Sequence, residues 1–377
     1  MASQNGVRGR HASRWRHPAR RSAAERFFDL AMGPHDALFS LLANRELVRL
    51  MSTSRRIRAL IHDLCFDISR LLRRFFGSRE NVEQFRYMQQ QTGTIISGSI
   101  ALQFLNRLSW EDSDLDLYVG HAMAPVAVVF ILENGYTFKP KENQKSNLSL
   151  QLCSSGNDHS DQWSDYGDSE VSEVADVFDF HKGEQKIQLI TAVRTPMQII
   201  LNFHCTCVMN LITHSTAFSL YPWHTFVRRK ALEIDSGVSD VGQARVAARQ
   251  KYTNRGWSML NRPSSSSKSE FGLPVKRYLG DKFSWTITLC PPLQMEEMLG
   301  DDEGGMWNDA EVGTAWQIDR VGGRVFMTAL EDPLPAISSV DLASKIDHLR
   351  ETLRKMEATA AAWATARARA KARRAKR

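Results

Sequence analysis

The stretch that decides the fold lies between residues 94 and 119 and reads TIISGSIALQFLNRLSWEDSDLDLYV. A short apolar run leads into Ser-Gly-Ser at 97–99, then come apolar residues at helical spacing, and then alternating Asp and Leu. This order predicts a strand, a tight turn, a helix and a second strand. Because successive side chains of a strand point to opposite faces, we expect Asp114 and Asp116 on one face and Leu115 in the core.

The two aspartates predict a cation site. Carboxylates held side by side at a strand end repel each other unless a positive charge lies between them. Mg²⁺ takes oxygen ligands and keeps waters or substrate phosphates as its remaining partners, so it suits such a pair. Gly98 permits a ligand to come close, and Ser99 begins a helix whose N-terminal N–H groups favour an anion. The pattern therefore predicts a phosphate-binding turn that faces a Mg²⁺ site at Asp114 and Asp116.

The Gly-Ser turn, the spacer and the Asp-x-Asp strand resemble the signature of the DNA polymerase beta-like nucleotidyltransferase superfamily. Gly98, Ser99, Asp114 and Asp116 stand at the matching positions, with a spacer slightly longer than the usual one. The wider run from Phe85 to Asp116 is also similar to a group of uncharacterised fungal proteins with this fold. The resemblance implies a small mixed sheet flanked by helices, with Mg²⁺ as the metal and a nucleoside triphosphate as substrate or ligand.

A third carboxylate usually lies on a later strand in this superfamily, where it helps to hold a second metal ion and can take a proton. The corresponding strand here is 186–190, and its active face would show Lys186, Gln188 and Ile190, none of which is acidic. Asp179 or Glu184, from the neighbouring strand and turn, is the alternative third group. The resemblance thus leaves two hypotheses: Mg²⁺-dependent transfer of a nucleotidyl group to a hydroxyl, or an inactive relative that binds a nucleotide or a partner.

The composition is typical of a globular protein, with 42% hydrophobic and 24% charged residues. No window of about 20 apolar residues occurs, so we expect no membrane span. The cysteines show no spacing that indicates disulfides or a zinc site, which favours a reducing, intracellular compartment, cytoplasmic or nuclear. An arginine-rich start could be a mitochondrial presequence, but it lacks the apolar face of one, so we interpret it as a disordered basic arm. The cysteines are Cys65, Cys153, Cys205, Cys207 and Cys290.

The net charge of +7 is concentrated at the two ends of the chain. Basic tails bind polyanions by releasing counterions, which makes an RNA-binding or scaffolding protein the third hypothesis. Such tails are also common as solubility or nuclear-import segments. The last eleven positions hold Arg367, Arg369, Lys371, Arg373, Arg374, Lys376 and Arg377.

Patterns along the chain predict an α/β (α+β) protein. Apolar residues at intervals of three and four predict helices before the motif, and their arginines, Arg74 among them, either line a phosphate-binding face or face solvent. A polar, Ser- and Asp-rich stretch predicts a disordered insertion. The predicted organisation is a basic arm at 1–22, a helical lead-in at 23–91, a nucleotidyltransferase-like domain at 92–262 with its insertion at 141–173, C-terminal strands and a long helix at 268–366, and a basic tail at 367–377.

Two further predictions concern the second half of the nucleotidyltransferase-like domain. The apolar run 195–212 is predicted to form one buried helix. His204, Cys205 and Cys207 lie within it, and we interpret them as core residues rather than metal ligands. The basic residues at 228–230 follow on a short helix and could either bind a triphosphate or face water.

Overall fold

The structure is a computed structural model that describes residues 34–154, 173–235, 243–262, 271, 276–289, 314–321 and 324–330. The chain divides into two units, Met1–Ile61 and His62–Arg377. The described residues form a mixed α/β fold, which confirms the predicted fold class. The basic arm at 1–22, the long C-terminal helix and the basic tail at 367–377 were predicted for residues outside the described ones.

Five consecutive helices precede the motif within the described residues. Those of the first unit bury Phe39, Leu47 and Ile57. Later helices start at side-chain caps: the Asp67 carboxylate accepts hydrogen bonds from backbone N–H groups of the following turn, and the Ser78 hydroxyl accepts one in the same way. The helices are α1 (Pro34–Leu41), α2 (Asn44–Met51), α3 (Arg55–Cys65), α4 (Ile68–Phe76) and α5 (Arg79–Thr92).

Thirteen strands and five more helices follow within the described residues. The helices are α6 (Gly98–Asn106), α7 (Ala124–Glu133), α8 (Leu148–Ser154), α9 (Pro196–Leu201) and α10 (Gln243–Asn254). The strands are β1 (Ile95–Ile96), β2 (Leu115–Gly120), β3 (Thr137–Lys139), β4 (Val174–Lys182), β5 (Gln185–Ala192), β6 (Asn210–Ile212), β7 (Thr216–Ser219), β8 (Lys230–Leu232), β9 (Ser258–Leu260), β10 (Arg277–Tyr278), β11 (Trp285–Thr288), β12 (Ala315–Val321) and β13 (Arg324–Ala329).

Eight of these strands form the main sheet, in the order β11-β7-β6-β1-β2-β5-β4-β3. Strands β2 and β5 pair in parallel, whereas the other six pairs of neighbouring strands in this sheet are antiparallel. The predicted hairpin of β4 and β5 is present, and Leu117 and Leu189 on adjacent strands are fully buried, as their alternation predicts. The remaining strands form a three-stranded sheet, β10-β12-β13, and a two-stranded sheet, β8-β9.

The antiparallel pairing of β1 with β2 positions the motif. Ile95 lies opposite Tyr118 and Ile96 opposite Leu117, so the chain leaving β1 passes directly beside Asp116. The backbone N–H of Ser97 donates to the carbonyl oxygen of Asp116 at 3.2 Å. The strand, turn, helix and strand predicted from the sequence therefore occur in that order, with the turn held against the second strand.

The prediction of a loop throughout 141–173 is wrong for its first part, because α8 is helical. Gln144 and Gln151 each donate to the carboxylate of Asp176, at 2.8 Å. Side-chain hydrogen bonds therefore hold this polar segment against β4, which composition alone does not reveal. Residues 155–172 lie outside the described residues.

The prediction of one helix across 195–212 is also wrong. Helix α9 ends at Leu201, and β6 then pairs with both β1 and β7. A short apolar run suits a buried helix and a buried strand equally well, so pairing decides between them. Cys205 and Cys207 are fully buried, as the core interpretation requires, and their sulfur atoms lie 3.4 Å apart.

The helices were also considered as membrane spans. Of those that the structure describes, none combines the length and the hydropathy that crossing a bilayer requires.

Candidate functional site

Gly98 lies in contact with the carboxylate of Asp116. It opens α6 with a φ of +63°, in the left-handed region that favours glycine. A Cβ atom at this position would overlap Oδ2 of Asp116. The missing side chain therefore allows the helix N-terminus and the carboxylate to lie together, which is the arrangement that the Gly-Ser and Asp-x-Asp pattern predicts.

Asp114 directly precedes β2, and Asp116 is the second residue of that strand. Burial, followed by the neighbouring charge of Asp114, raises the pKa of Asp116 to about 7, against the opposing effects of Lys251 and Lys186. Within the described part of the chain, the carboxylate of Asp116 takes part in no ion pair. Its negative charge is therefore poorly compensated, as expected of a carboxylate that a bound cation would stabilise.

The strand register extends a row of polar side chains across the sheet. Asp116 on β2 lies opposite Gln188 on β5, and Gln188 lies opposite Asp179 on β4. The amide nitrogen Nε2 of Gln188 donates to Oδ1 of Asp179 at 2.8 Å. Of the two alternatives for a third carboxylate, Asp179 lies in this row, whereas Glu184 is exposed in the hairpin turn. We call Asp116, Gln188 and Asp179, with Asp114 and Lys186 beside them, the charged row.

Lys186 lies between two aspartates of the charged row. Its ammonium Nζ is 3.3 Å from Oδ2 of Asp114 and 3.4 Å from Oδ2 of Asp179. Partial burial lowers the pKa of Lys186, but Asp179 and Asp114 together raise it above its ordinary value. The lysine therefore carries its charge at neutral pH and bridges the two strands that flank it.

The loop before Asp114 is held from two sides. Gln103 of α6 donates from Nε2 to Ser113 Oγ at 2.9 Å, and its Oε1 accepts from the backbone N–H of Trp110 at 2.5 Å. Arg74 of α4 donates to the carbonyl oxygens of Trp110, Glu111 and Ser113. The guanidinium of Arg74 thus organises this loop, where the sequence left a phosphate-facing or solvent-facing role open.

Helix α10 forms the opposite side of a cleft over the motif. Arg245, Ala248 and Tyr252 recur at intervals of three and four, so they share one helix face, and Lys251 lies next to them. The cleft has a volume of about 270 Å³. It is lined by Gly98, Ser99, Asp116, Tyr118, Asn202, Phe203, His204, Val208, Arg245, Ala248, Lys251 and Tyr252. We call Arg245 and Lys251 the basic wall.

Polar and aromatic contacts fix α10 in place. Arg245 donates from Nη2 to the carbonyl oxygen of Ile234 at 2.7 Å, and Arg249 pairs with Glu233 at 2.9 Å. The guanidinium carbon of Arg255, just after the helix, lies 3.8 Å from the ring centroid of Trp110. Since Trp110 belongs to the loop before Asp114, this contact joins the end of α10 to the aspartate side of the cleft.

The basic residues that the sequence proposed for a triphosphate lie elsewhere. Arg228 and Arg229 lie over the rings of Trp223 and Trp257, and Lys230 begins β8. None of the three lines the cleft. Arg245 and Lys251 line the cleft instead, and the sequence patterns did not predict them. The helical spacing of basic and small residues in this polar segment was the feature that could have identified them.

A divalent cation of the kind that the motif implies fits one part of the charged row. Asp114 and Asp116 supply two carboxylates whose mutual repulsion a cation would relieve, and of the two, Asp116 lines the cleft. Among the described residues, no three His, Cys, Asp or Glu side chains are arranged to hold a metal ion. Waters and substrate phosphates are the ordinary remaining ligands of Mg²⁺.

Comparison with known proteins adds no relative. No protein-family model, no curated protein and no solved structure matches this chain. We therefore infer a function from the residues and the geometry of the cleft.

Proposed function

We propose that the chain binds a nucleoside triphosphate together with Mg²⁺ in this cleft and transfers the nucleotidyl group to a hydroxyl. The observation that carries the proposal is the contact of Gly98, at the start of α6, with Asp116, beneath a wall that supplies Arg245 and Lys251. A carboxylate that would hold a cation and basic side chains in one cleft match the charges of a metal-bound triphosphate.

Each side of the cleft has its own task in this proposal. Asp114 and Asp116 would hold Mg²⁺, which supplies charge neutralisation and orientation of the phosphates when bound. The N-terminal N–H groups of α6, from Gly98 and Ser99 onward, and the ammonium of Lys251 would bind phosphate oxygens. Since phosphoryl chemistry of this kind depends on positioning and electrostatic stabilisation, these residues need only fix the substrate and its charge.

Nucleotide binding without transfer is the second candidate function. Gln188 occupies the position opposite Asp116 where the resemblance leads us to expect a carboxylate, and an amide is a poor base. Asp179, the remaining acid of the row, accepts a hydrogen bond from Gln188 and an ion pair from Lys186. These contacts favour a site that binds the triphosphate and turns it over slowly or not at all.

Triphosphate binding is tested by calorimetric titration with each of the four common nucleoside triphosphates, in Mg²⁺ and in chelator. Asp116→Asn removes one charge at constant shape, and we expect it to weaken binding in Mg²⁺ by about 1.5–3 kcal/mol, the range for charge-assisted contacts. Lys251→Met should weaken binding about tenfold, or about 1.4 kcal/mol. Pyrophosphate release in the same mixtures separates transfer from binding alone.

Lys230→Met is the matched control for Lys251→Met, because it removes the same charge at an exposed position outside the cleft. We expect it to leave triphosphate affinity unchanged. If Asp116→Asn and Lys251→Met also leave the affinity unchanged, the cleft is not a nucleotide site and the proposal is wrong.

A further inference from the structure

Lys186 places a permanent positive charge inside the charged row. Its ammonium Nζ lies 3.3 Å from Oδ2 of Asp114 and 3.4 Å from Oδ2 of Asp179. Lys186 is on β5, which pairs in parallel with β2, the strand that follows Asp114. In a two-metal site, the second ion bridges carboxylates and neutralises them. Here a side chain of the protein already bridges two of the three aspartates.

One partner of Lys186, Asp179, is itself fixed. Oδ2 of Asp179 faces the ammonium, and Oδ1 of Asp179 accepts the 2.8 Å hydrogen bond from Gln188. Both oxygens of this carboxylate are therefore engaged by the neighbouring strand β5. The side chain of Asp179 is 16% exposed and that of Lys186 is 25% exposed, so solvent screens the pair only in part.

We propose that the ammonium of Lys186 takes the place of a second divalent cation, so that the cleft binds one divalent ion, at Asp114 and Asp116, with its triphosphate. The inference rests on the proposed function and specifies its metal requirement. In this arrangement Asp179 positions Lys186 instead of binding metal, and Gln188 keeps Asp179 in that orientation. Lys186, beside the aspartate pair, and Gln188, in the expected carboxylate position, then serve one purpose: together they replace the second cation.

The test counts bound metal directly. Mn²⁺ replaces Mg²⁺, and electron paramagnetic resonance measures free Mn²⁺ in titrations of the full chain with a non-hydrolysable nucleoside triphosphate analogue. We expect one Mn²⁺ per chain for the wild type and for Lys186→Arg, which keeps the positive charge. We expect two for Lys186→Met, because Asp114 and Asp179 then face each other without a cation.

Lys182→Met is the matched control on the same hairpin. Lys182 is exposed and its ammonium donates to the carbonyl oxygen of Asn134, so its loss should leave one Mn²⁺ per chain. A circular dichroism melt establishes that each variant is folded before the titration.

Two Mn²⁺ ions bound to the wild type would overturn the inference while leaving triphosphate binding intact, and this result needs no variant. A count that stays at one in folded Lys186→Met would overturn it as well. If the wild type binds neither the analogue nor Mn²⁺, the proposed function fails together with the inference.

Discussion

Asp116 and Asp179 lie on either side of Gln188 in the same row across the sheet, yet their charges are balanced in different ways. Asp179 receives an ion pair from Lys186 and a hydrogen bond from Gln188. Asp116 faces the cleft, and burial together with Asp114 raises its pKa to about 7. One half of the row is neutralised by the protein, whereas the other half holds a carboxylate whose charge is unfavourable.

The difference indicates where a ligand belongs. A protein that needed Asp116 only for its fold would gain stability by giving it a partner of the kind that Asp179 has. Leaving one carboxylate uncompensated is typical of a functional site, because a bound ligand can then supply the missing compensation, at a cost in stability when the ligand is absent.

The largest effect is expected for Gly98→Ala. The new methyl group would overlap Oδ2 of Asp116, so the helix start and the carboxylate must move apart, and Mg²⁺-dependent triphosphate binding should be lost. Gly183→Ala is the matched control: its φ of +57° is close to the +63° of Gly98, and no atom lies within 4 Å of the added Cβ. Both variants should lose roughly 1–2 kcal/mol to left-handed strain.

Chemical denaturation and calorimetry measure the two consequences of Gly98→Ala separately. Gly183→Ala should lose stability but retain triphosphate binding. Equal triphosphate affinity in the two variants would show that contact with Asp116 does not matter for the site.

The next effect concerns pH, in a protein kept free of metal by chelator. The folded chain holds a proton on Asp116 up to about pH 7, whereas the unfolded chain releases it near the ordinary pKa of 3.8. Since the folded state then binds more protons, the free energy of unfolding should fall as pH rises from about 4 to about 7 and level off above. The decrease is a few kcal/mol at most, because one pKa unit corresponds to about 1.4 kcal/mol.

Asp116→Asn should flatten this part of the stability curve, measured by urea denaturation at a series of pH values. The comparison is between slopes, so the titration of other groups common to both proteins cancels. Parallel curves for the wild type and the variant would mean that the charge of Asp116 is compensated in the folded chain.

The smallest effect is expected on the neutralised side of the row. Gln188→Glu replaces the donor to Asp179 by a second carboxylate and should cost roughly 1–2 kcal/mol. Gln144→Glu is its control, because Gln144 also donates to an aspartate, Asp176, at 2.8 Å but outside the cleft. Added Mn²⁺ should restore stability to Gln188→Glu and not to Gln144→Glu, as read from thermal melts. Equal responses to Mn²⁺ would contradict a special role for the row.

The half of the site that lies within a continuous motif was predictable from the sequence. The turn at Gly98 and the alternation through Asp114 and Asp116 are local, so spacing alone predicts which faces they share. Alternation along β5 made Lys186 and Gln188 predictable as residues of one face of that strand, whereas Ile190, predicted for the same face, is fully buried. The fold class follows from the same local patterns.

The other half depends on contacts between distant residues. The ion pairs of Lys186 join Asp114, just before β2, to Asp179 on β4, and the sequence left open the hairpin register that places Asp179 opposite Gln188. The basic wall comes from a helix more than 100 residues after the motif. The apolar run before it was misread because periodicity does not separate a short buried strand from a helix, and β6 is defined by its pairing.

The guanidinium of Arg74 has a practical consequence for how this protein can be divided. It comes from a helix that precedes the motif, and it holds the carbonyl oxygens of Trp110, Glu111 and Ser113 in the loop that leads to Asp114. A recombinant fragment trimmed to begin at β1 would keep every motif residue and still lose the donor that shapes this loop. Helix α4 thus belongs with the motif, and a fragment boundary chosen from the motif alone would separate the two.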